Sequence, residues 1–275
     1  METDGPAVAA LLAHGFRCRE SFWLTALSHL AGHDGPDGLP RFGYVLEVSG
    51  TLVGVILLIF ARIEEGATSR IQCSLSSWYV DPLYRSFAVM LVSRALAHKG
   101  VTYVNLTPAP QTVPILKAQG YREFCTGKFV ALPLLASAGR SLPVHVICNS
   151  GSVPRELPEY DSRLLRAHAA FGCLSLACIR NGRAHPFVFA LRRRHGIPMT
   201  ALLIYCRHLD ELALCAGALG RFFAQRGFFV LTLHARGAVP GLPGFFRRST
   251  PTFYFGAEPP RPGNLAWSEC AMFGV

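Results

Sequence analysis

The sequence predicts a mixed α/β fold in which a mixed sheet with helices is built twice along the chain. The chain has 275 residues, 51% hydrophobic and 16% charged, which is enough to bury one large or two modest cores. Strand-like and helix-like hydrophobic patterns alternate along it. The same order of elements then recurs, since Gly50 and Gly182 lie 132 positions apart and Gly100 and Gly227 lie 127 apart.

The first half is predicted to begin with two short helices and to continue mainly as strands. Pro6 in a first turn and Ser21 as a cap mark the two helix starts. Ser49-Gly50 predicts a hairpin turn. The expected elements after the helices are strands at 44–48, 51–62 and 70–80, a helix ending at 99–100, a strand at 101–106, a helix at 113–119 and extended chain at 121–134.

The second half repeats this order, with Asn181-Gly182 as its hairpin turn. Its expected elements are strands at 172–179, 187–191 and 201–206, a helix at 209–225 and a strand at 228–233. Residues 133–143 are the expected connector, so we predict two domains, 1–140 and 141–275, packed face to face. The alternative is that any α/β protein can show this order without a duplication.

The charge pattern argues against a nucleic-acid-binding protein. Lys and Arg number 27 against 17 Asp and Glu, which gives a net charge of +10. Adjacent basic residues occur at 192–194 and 247–248, without a larger cluster. We therefore expect no nucleic-acid partner.

Cysteine usage and hydropathy predict a cytoplasmic protein. The nine cysteines are odd in number and form no CxxC pair, which is typical of reduced thiols. The first residues are acidic and lack the apolar core of a signal peptide. The longest apolar run, 52–61, is too short to span a membrane.

Two motifs give the first half a resemblance to a known family. Residues 80–85 lead from a strand end directly into a predicted helix, and residues 115–121 form a short helix that ends in Gly120-Tyr121. With the order of elements, these motifs resemble the GCN5-related N-acetyltransferases over residues 44–124. The resemblance implies two tandem acyl-CoA N-acyltransferase-like domains. It also implies transfer of an acyl group, most simply acetyl, from coenzyme A to an amine.

The resemblance places the acyl-CoA site at the helix start and in an adjoining slot. The first amides of a helix have no partners within it and can receive a pyrophosphate, with Arg85 adding positive charge. The edge of a splayed strand can pair with the amides of the pantetheine arm. The residues predicted to bind the donor are Trp78, Tyr79, Val80, Arg85, Ser86, Phe87, Ala88, Val89, Met90 and Asn105.

The predicted turn departs from the family pattern Arg/Gln-x-x-Gly-x-Gly/Ala. Ala88 and Met90 stand where the family has small residues that let a phosphate approach the backbone. At the matching turn of the second half, Asp210 and Glu211 are expected to satisfy the amides instead. We therefore assign the donor site to the first half and expect a degenerate site in the second.

Three residues are candidates for acid and base chemistry. Glu47 interrupts an apolar strand and could accept the amine proton, although alternate strand positions normally face solvent. Tyr84 and Tyr121 could protonate the leaving thiolate, although tyrosines in apolar runs are more often core residues. Leu116 stands where many relatives carry the tyrosine acid.

Several alternatives stay open at this stage. No spacing suggests a metal site, and the motifs of serine hydrolases, P-loops and dinucleotide-binding folds are absent from the sequence. The acceptor is expected to be an amine on a small molecule or a protein, and a homodimer is one option for assembly. Leu116 and Phe87 would also suit a long-chain acyl donor. The main alternative is a non-catalytic binding or assembly module that has lost its donor site.

Overall fold

A computed structural model describes residues 4–66 and 68–274 of the protein. Seven α-helices occur in these ranges: α1 Gly5–Phe16, α2 Glu20–Ala31, α3 Ala88–Ala95, α4 Val113–Ala118, α5 Glu159–Ala170, α6 Leu209–Ala224 and α7 Glu269–Met272. The strands are β1 Gly43–Val48, β2 Thr51–Glu65, β3 Thr68–Val80, β4 Val101–Asn105, β5 Arg122–Ala131, β6 Val144–Ile147, β7 Leu174–Arg180, β8 Arg183–Arg194, β9 Ile197–Cys206, β10 Leu231–Ala235 and β11 Gly244–Phe255.

All the strands just named form one sheet in the order β1-β2-β3-β4-β11-β5-β10-β9-β8-β7-β6. The sheet is mixed, because β3 and β4 run parallel, as do β9 and β10, while the other pairs are antiparallel. The predicted mixed α/β fold is confirmed. The expectation of face-to-face packing is wrong, because the two halves join edge to edge in a continuous sheet.

The two halves exchange a strand at the join. Strand β11 of the second half lies between β4 and β5 and pairs antiparallel with both. Strand β5 of the first half lies between β11 and β10. Each half therefore contributes a strand to the other, and neither half buries its sheet edge by itself.

The hairpin turns follow from residues that tolerate a left-handed backbone. Ser49 and Gly50 have φ angles of 49° and 81°, and Asn181 and Gly182 have φ angles of 49° and 70°. Two consecutive residues with positive φ form the turn that matches the twist of the flanking strands. Both predicted hairpins are confirmed, and they occupy corresponding places in the two halves.

Apolar residues on both faces of the sheet hold the helices. Along β2, Val55, Leu57 and Ile59 pack with α1, α2, α5 and the C-terminal segment. The alternate residues Ile56 and Leu58 pack with α3 and α4. Helix α6 covers the corresponding face of the second half. Strand β2 is buried on both faces, which explains its continuous apolar run.

Strand β3 leads into a 3-10 helix, Pro82–Phe87, before α3 begins at Ala88. The Asp81 side chain accepts a hydrogen bond of 2.9 Å from the Leu83 amide and so initiates this extra turn. Helix α3 also ends earlier than the predicted boundary at 99–100. Elements α5, β6, β11 and α7 have no counterpart in the sequence prediction.

Residues 263–266 pair with the edge of β9 beyond the point where β9 and β10 separate. The β9–β10 ladder ends at Leu202, paired with Thr232. Beyond it, the Cys206 amide donates to the Gly263 carbonyl at 2.9 Å, and the Leu265 amide donates to the Ile204 carbonyl at 2.7 Å. The chain's own backbone thus occupies the divergent strand edge of the second half.

Replacing Leu265 by proline is expected to lower the free energy of unfolding by about 2 kcal/mol or more. The substitution removes the amide that serves the buried Ile204 carbonyl and leaves that acceptor unpaired. Leu265→Met keeps both the amide and the side-chain volume and serves as the control. Chemical denaturation measures both variants, and equal stability of the two would contradict the pairing.

Among the described residues, no helix combines the length and apolarity that a transmembrane segment requires.

Candidate functional site

A slot opens where β3 and β4 separate in the first half. Their parallel ladder runs from Ile71, paired with Val101, to Ser74, paired with Val104, and ends there. Strand β3 continues to Val80 without a partner on this edge. A cavity of about 430 Å³ lies between the separated strands and takes its walls from both. We call this cavity the slot.

A β-bulge shapes the β3 wall of the slot. Leu57 pairs with Ser76 and Val55 pairs with Tyr79, so Ser77 and Trp78 together face Ile56. Ser77 has a φ of 52°, and this left-handed conformation changes the direction of the backbone at the bulge. The bulge therefore interrupts the regular β2–β3 pairing beside the cavity.

The slot is mainly apolar and holds two indole N–H groups without a partner. Its apolar side chains come from α1, α2, α3, α4, β2 and β3, and include Phe16, Phe22, Ile56, Leu75, Val92 and Leu116. The Nε1 atoms of Trp23 and Trp78, which also line it, are buried and have no hydrogen-bond partner in the described chain. Buried donors are normally satisfied, and these two are unpaired beside the slot.

A buried carboxylate, Glu269, borders the slot at the point of strand separation. Its Oε2 accepts a hydrogen bond of 2.6 Å from Ser74 Oγ, and its Oε1 accepts one of 2.9 Å from Thr107 Oγ1. Only 1% of the residue is exposed. Burial raises the pKa of Glu269, while these hydroxyl groups partly offset that rise. A carboxylate with a raised pKa and spare lone pairs is suited to accept a proton.

The segment that precedes Glu269 is anchored by a buried histidine. The Trp267 amide donates to His168 Nε2 at 3.2 Å, and His168 Nδ1 lies 2.8 Å from the Leu164 carbonyl. These contacts require a neutral ring with its proton on Nδ1. Burial lowers the pKa of His168 to about 4, with the Leu164 hydrogen bond opposing this shift.

His168 is expected to make the fold sensitive to acid. Its pKa is lower in the folded protein than the ordinary 6.5, so its contribution is full above pH 6.5 and is lost as the pH falls towards 4. The loss should be about 3 kcal/mol. Denaturant titrations at pH 6.5 and near pH 4 measure the free energy of unfolding of the wild type and of His168→Gln. A pH dependence unchanged in His168→Gln would contradict the assignment.

Two residues of the predicted donor site, Trp78 and Asn105, line the slot, and the other eight do not. Tyr79 instead contacts Phe16 and His14 through its ring, and Val80 lies in the core. Arg85, Ser86 and Phe87 lie in the 3-10 helix, and Ala88, Val89 and Met90 lie in the first turn of α3.

The turn between β3 and α3 is exposed. Phe87, Val89 and Met90 are 45%, 63% and 58% exposed, so the Met90 side chain points to solvent. The Ala88 amide donates to the Arg85 carbonyl. A pyrophosphate cradle at this turn stays a prediction, and the structure leaves fewer free amides there than a direct strand-to-helix junction would.

None of the three predicted catalytic residues is among those that line the slot. Glu47 is exposed on β1 at the edge of the sheet. Tyr84 is half-buried in the 3-10 helix. Tyr121 is buried next to Phe255, with no partner for its hydroxyl in the described chain, and burial raises its pKa further. Their catalytic roles stay predictions. Leu116, which replaces the family's tyrosine, does line the slot.

Sequence reasoning missed Glu269 and Trp23. Glu269 is the first residue of a four-residue helix and meets Ser74 across 195 positions of the chain. Trp23 lies in a predicted helix whose apolar face looked like ordinary core. The residue types alone gave no signal that either would border a cavity.

The first turn of α6 differs from the expectation for the second half. Asp210 and Glu211 do lie there, but no side chain caps the helix. The Glu211 carboxylate instead pairs with Arg183 at 3.3 Å and lies 3.3 Å from His185 Nδ1. The expectation that the two acids satisfy the helix amides is wrong for Glu211. Residues 263–266, and not these acids, cover the divergent strand edge.

No group of three metal-ligating side chains occurs in the described ranges.

Solved structures similar to this chain share its fold at low sequence identity. A GCN5-related N-acetyltransferase from Anabaena variabilis ATCC 29413 is 12% identical, with a TM-score of 0.62 over 92% of this chain and 70% of that chain. A putative acetyltransferase from Pyrococcus horikoshii is 12% identical, with a TM-score of 0.59 over 96% and 90%. A probable N-acyltransferase from Enterococcus faecalis V583, described as a conserved protein of unknown function, is also 12% identical, with a TM-score of 0.58 over 96% and 71%. No protein-family model matches the chain, and no curated protein matches it by sequence.

Proposed function

Because the chain has the fold of the GCN5-related N-acetyltransferases, we propose that it transfers an acyl group, most simply acetyl, from coenzyme A to an amine. The observation that carries this proposal is the slot between β3 and β4, where one parallel strand leaves the other and exposes its edge. An extended arm with amide groups can pair with such an edge as a strand would. The second half offers a model of this pairing, since residues 263–266 bind the corresponding edge of β9.

This comparison supports a single donor site in the first half. The strand edge of the second half is already paired with the chain's own backbone. Among the described residues the first-half edge has no such partner, and the two unpaired indole donors lie beside its cavity. We therefore propose that acetyl-CoA is the co-substrate and that it enters between Trp78 and Asn105.

Glu269 is the proposed proton acceptor. The amine nitrogen attacks the thioester carbon, the C–N bond forms and the C–S bond breaks. Glu269 accepts the proton that the nitrogen loses, and the leaving thiolate takes a proton from water. The unpaired indole N–H groups of Trp23 and Trp78, beside the slot, are the proposed donors to the charge on the thioester oxygen. Ser74 and Thr107 fix the orientation of the carboxylate.

One observation favours the alternative of a binding module. The Ala88 amide is already bonded to Arg85, and the turn that would hold the pyrophosphate lacks glycine. A protein that has the slot but no pyrophosphate-binding site could bind an acyl group without transferring it to an acceptor.

Calorimetric titration with acetyl-CoA tests the proposal. Saturable binding is expected, with longer acyl chains compared in the same assay because the slot is apolar. Arg85→Glu tests whether the phosphates bind at the turn, and Arg155→Glu, an exposed arginine of the second half, is its control. Absence of binding by acyl-CoA of every chain length would refute the proposed activity.

We also propose that the protein works in the cytoplasm. All nine cysteines lie in the described ranges, and none of them forms a disulfide bond. Six of them are at most 1% exposed: Cys73, Cys125, Cys178, Cys206, Cys215 and Cys270. This pattern suits a reducing compartment.

A further inference from the structure

A second cavity, of about 370 Å³, lies beyond the carboxyl end of β4. The strand register sets its polar wall: Lys128 pairs with His234, Arg192 pairs with Thr200, and Thr232 lies two residues before His234. Residues two apart on a strand share a face, so these side chains converge on one side of the sheet. We call this cavity the basic pocket.

The basic pocket is complementary to an anion. Lys128 supplies a positive charge, Thr200 and Thr232 supply hydroxyl donors, and no described Asp or Glu lines the cavity. Arg192 also donates to the Gly274 carbonyl, which holds its guanidinium beside the C-terminal segment. Charge-assisted hydrogen bonds from such a set favour carboxylate or phosphate oxygens.

His234 gives an independent indication of a ligand. The residue is 6% exposed, lines the basic pocket and forms no hydrogen bond within the described ranges. Burial and the nearby Lys128 lower the pKa of His234 to about 4, so its ring is neutral near pH 7. A buried neutral imidazole without a partner has one N–H to offer, and an anion would satisfy it.

The basic pocket and the slot lie back to back. Thr107 and Pro108 line both cavities. Glu269 borders the slot, and the next residue, Cys270, borders the basic pocket. A molecule with its anionic group beside Lys128 would therefore need to extend only past this shared wall to bring another group to Glu269.

We propose that the basic pocket binds the carboxylate or phosphate of an anionic acceptor whose amine then lies near Glu269. The assignment of this anion to the acceptor rests on the proposed acyl transfer. The anion site itself stands on the arrangement of Lys128, Thr232 and His234.

Histidine ring NMR signals test the anion site without any acyl donor. Acetate and inorganic phosphate are titrated separately at constant ionic strength, and His234→Gln identifies the signal. A saturable shift of the His234 signal is expected, with acetate and phosphate affinities distinguishing a carboxylate from a phosphate site. Lys128→Met should raise the dissociation constant at least about tenfold. Lys99→Met removes the same charge from an exposed position and should change nothing. The anion site is refuted if the His234 signal does not shift with either anion. It is also refuted if the shift and the dissociation constant in Lys128→Met equal those of the wild type.

Matched amines test the role of the anion in the acceptor. β-Alanine is compared with its amide, and ethanolamine phosphate with ethanolamine, as acceptors from acetyl-CoA. The anionic member of a pair should have a kcat/KM about tenfold higher or more. Lys128→Met should abolish that preference without changing acetyl-CoA affinity. Equal use of both members overturns the acceptor role. Failure of acetyl-CoA to bind refutes the acyl transfer instead, and the NMR result is independent of it.

Discussion

Replacing Glu269 by glutamine is expected to lower kcat by about 10²- to 10⁴-fold, the range for loss of a positioned general base. Glutamine keeps the shape of the side chain but cannot take the proton from the attacking amine. Acetyl-CoA affinity should change little, because the proposed donor contacts lie along β3 and at the indole donors. Steady-state kinetics with acetyl-CoA and calorimetry on the same variant separate these two effects.

The pH profile distinguishes this role from a structural one. In the wild type, kcat/KM should rise as Glu269 loses its proton, and that limb should lie above the usual range of a glutamic acid because burial raises its pKa. Glu269→Gln should remove the limb. Ser74→Ala and Thr107→Ala leave the carboxylate in place but each remove a hydrogen-bond donor that favours its charged form. Each substitution should therefore move the rise in kcat/KM to higher pH. A Glu269→Gln enzyme with wild-type kcat would exclude the proposed mechanism.

Replacing Ala109 by tryptophan is expected to weaken acetyl-CoA binding by roughly 100-fold or more. Ala109 lines the slot just beyond the end of β4, and an indole ring there would occupy the space proposed for the donor. The residue is half-buried and precedes a short 3-10 helix, so the larger side chain has room to be accepted without loss of the fold.

Ala109→Ser is the matched control, because it alters the same position by a single oxygen. Circular dichroism and the unfolding midpoint establish that both variants fold. If Ala109→Trp folds and binds acetyl-CoA with wild-type affinity, the donor does not occupy the slot.

Local features of this fold were predictable from sequence. Both hairpins follow from Ser49-Gly50 and Asn181-Gly182, whose conformational preferences act over a few residues. The position of the slot also followed, since Trp78 and Asn105 lie near the ends of two strands joined by a helical crossover. The order of most strands and helices along the chain likewise followed from short hydrophobic patterns.

Features that depend on distant parts of the chain were not predictable. The exchange of β5 and β11 places each strand next to strands of the other half, and local hydrophobic patterns do not encode such pairing. Glu269 becomes a buried acid only because the C-terminal segment returns to Ser74 and Thr107. The 3-10 helix at Pro82–Phe87 depends on one hydrogen bond to the Asp81 side chain, and hydrophobic periodicity does not detect such a contact.

The measurement that tests the central claim most directly is a crystal structure of the protein with acetyl-CoA at a saturating concentration. We expect density for the pantetheine arm between β3 and β4, with an arm amide paired to the β3 edge near Trp78 and the acetyl group beside Glu269. Density for the donor at another surface, with the space between Trp78 and Asn105 filled by solvent, would contradict the account.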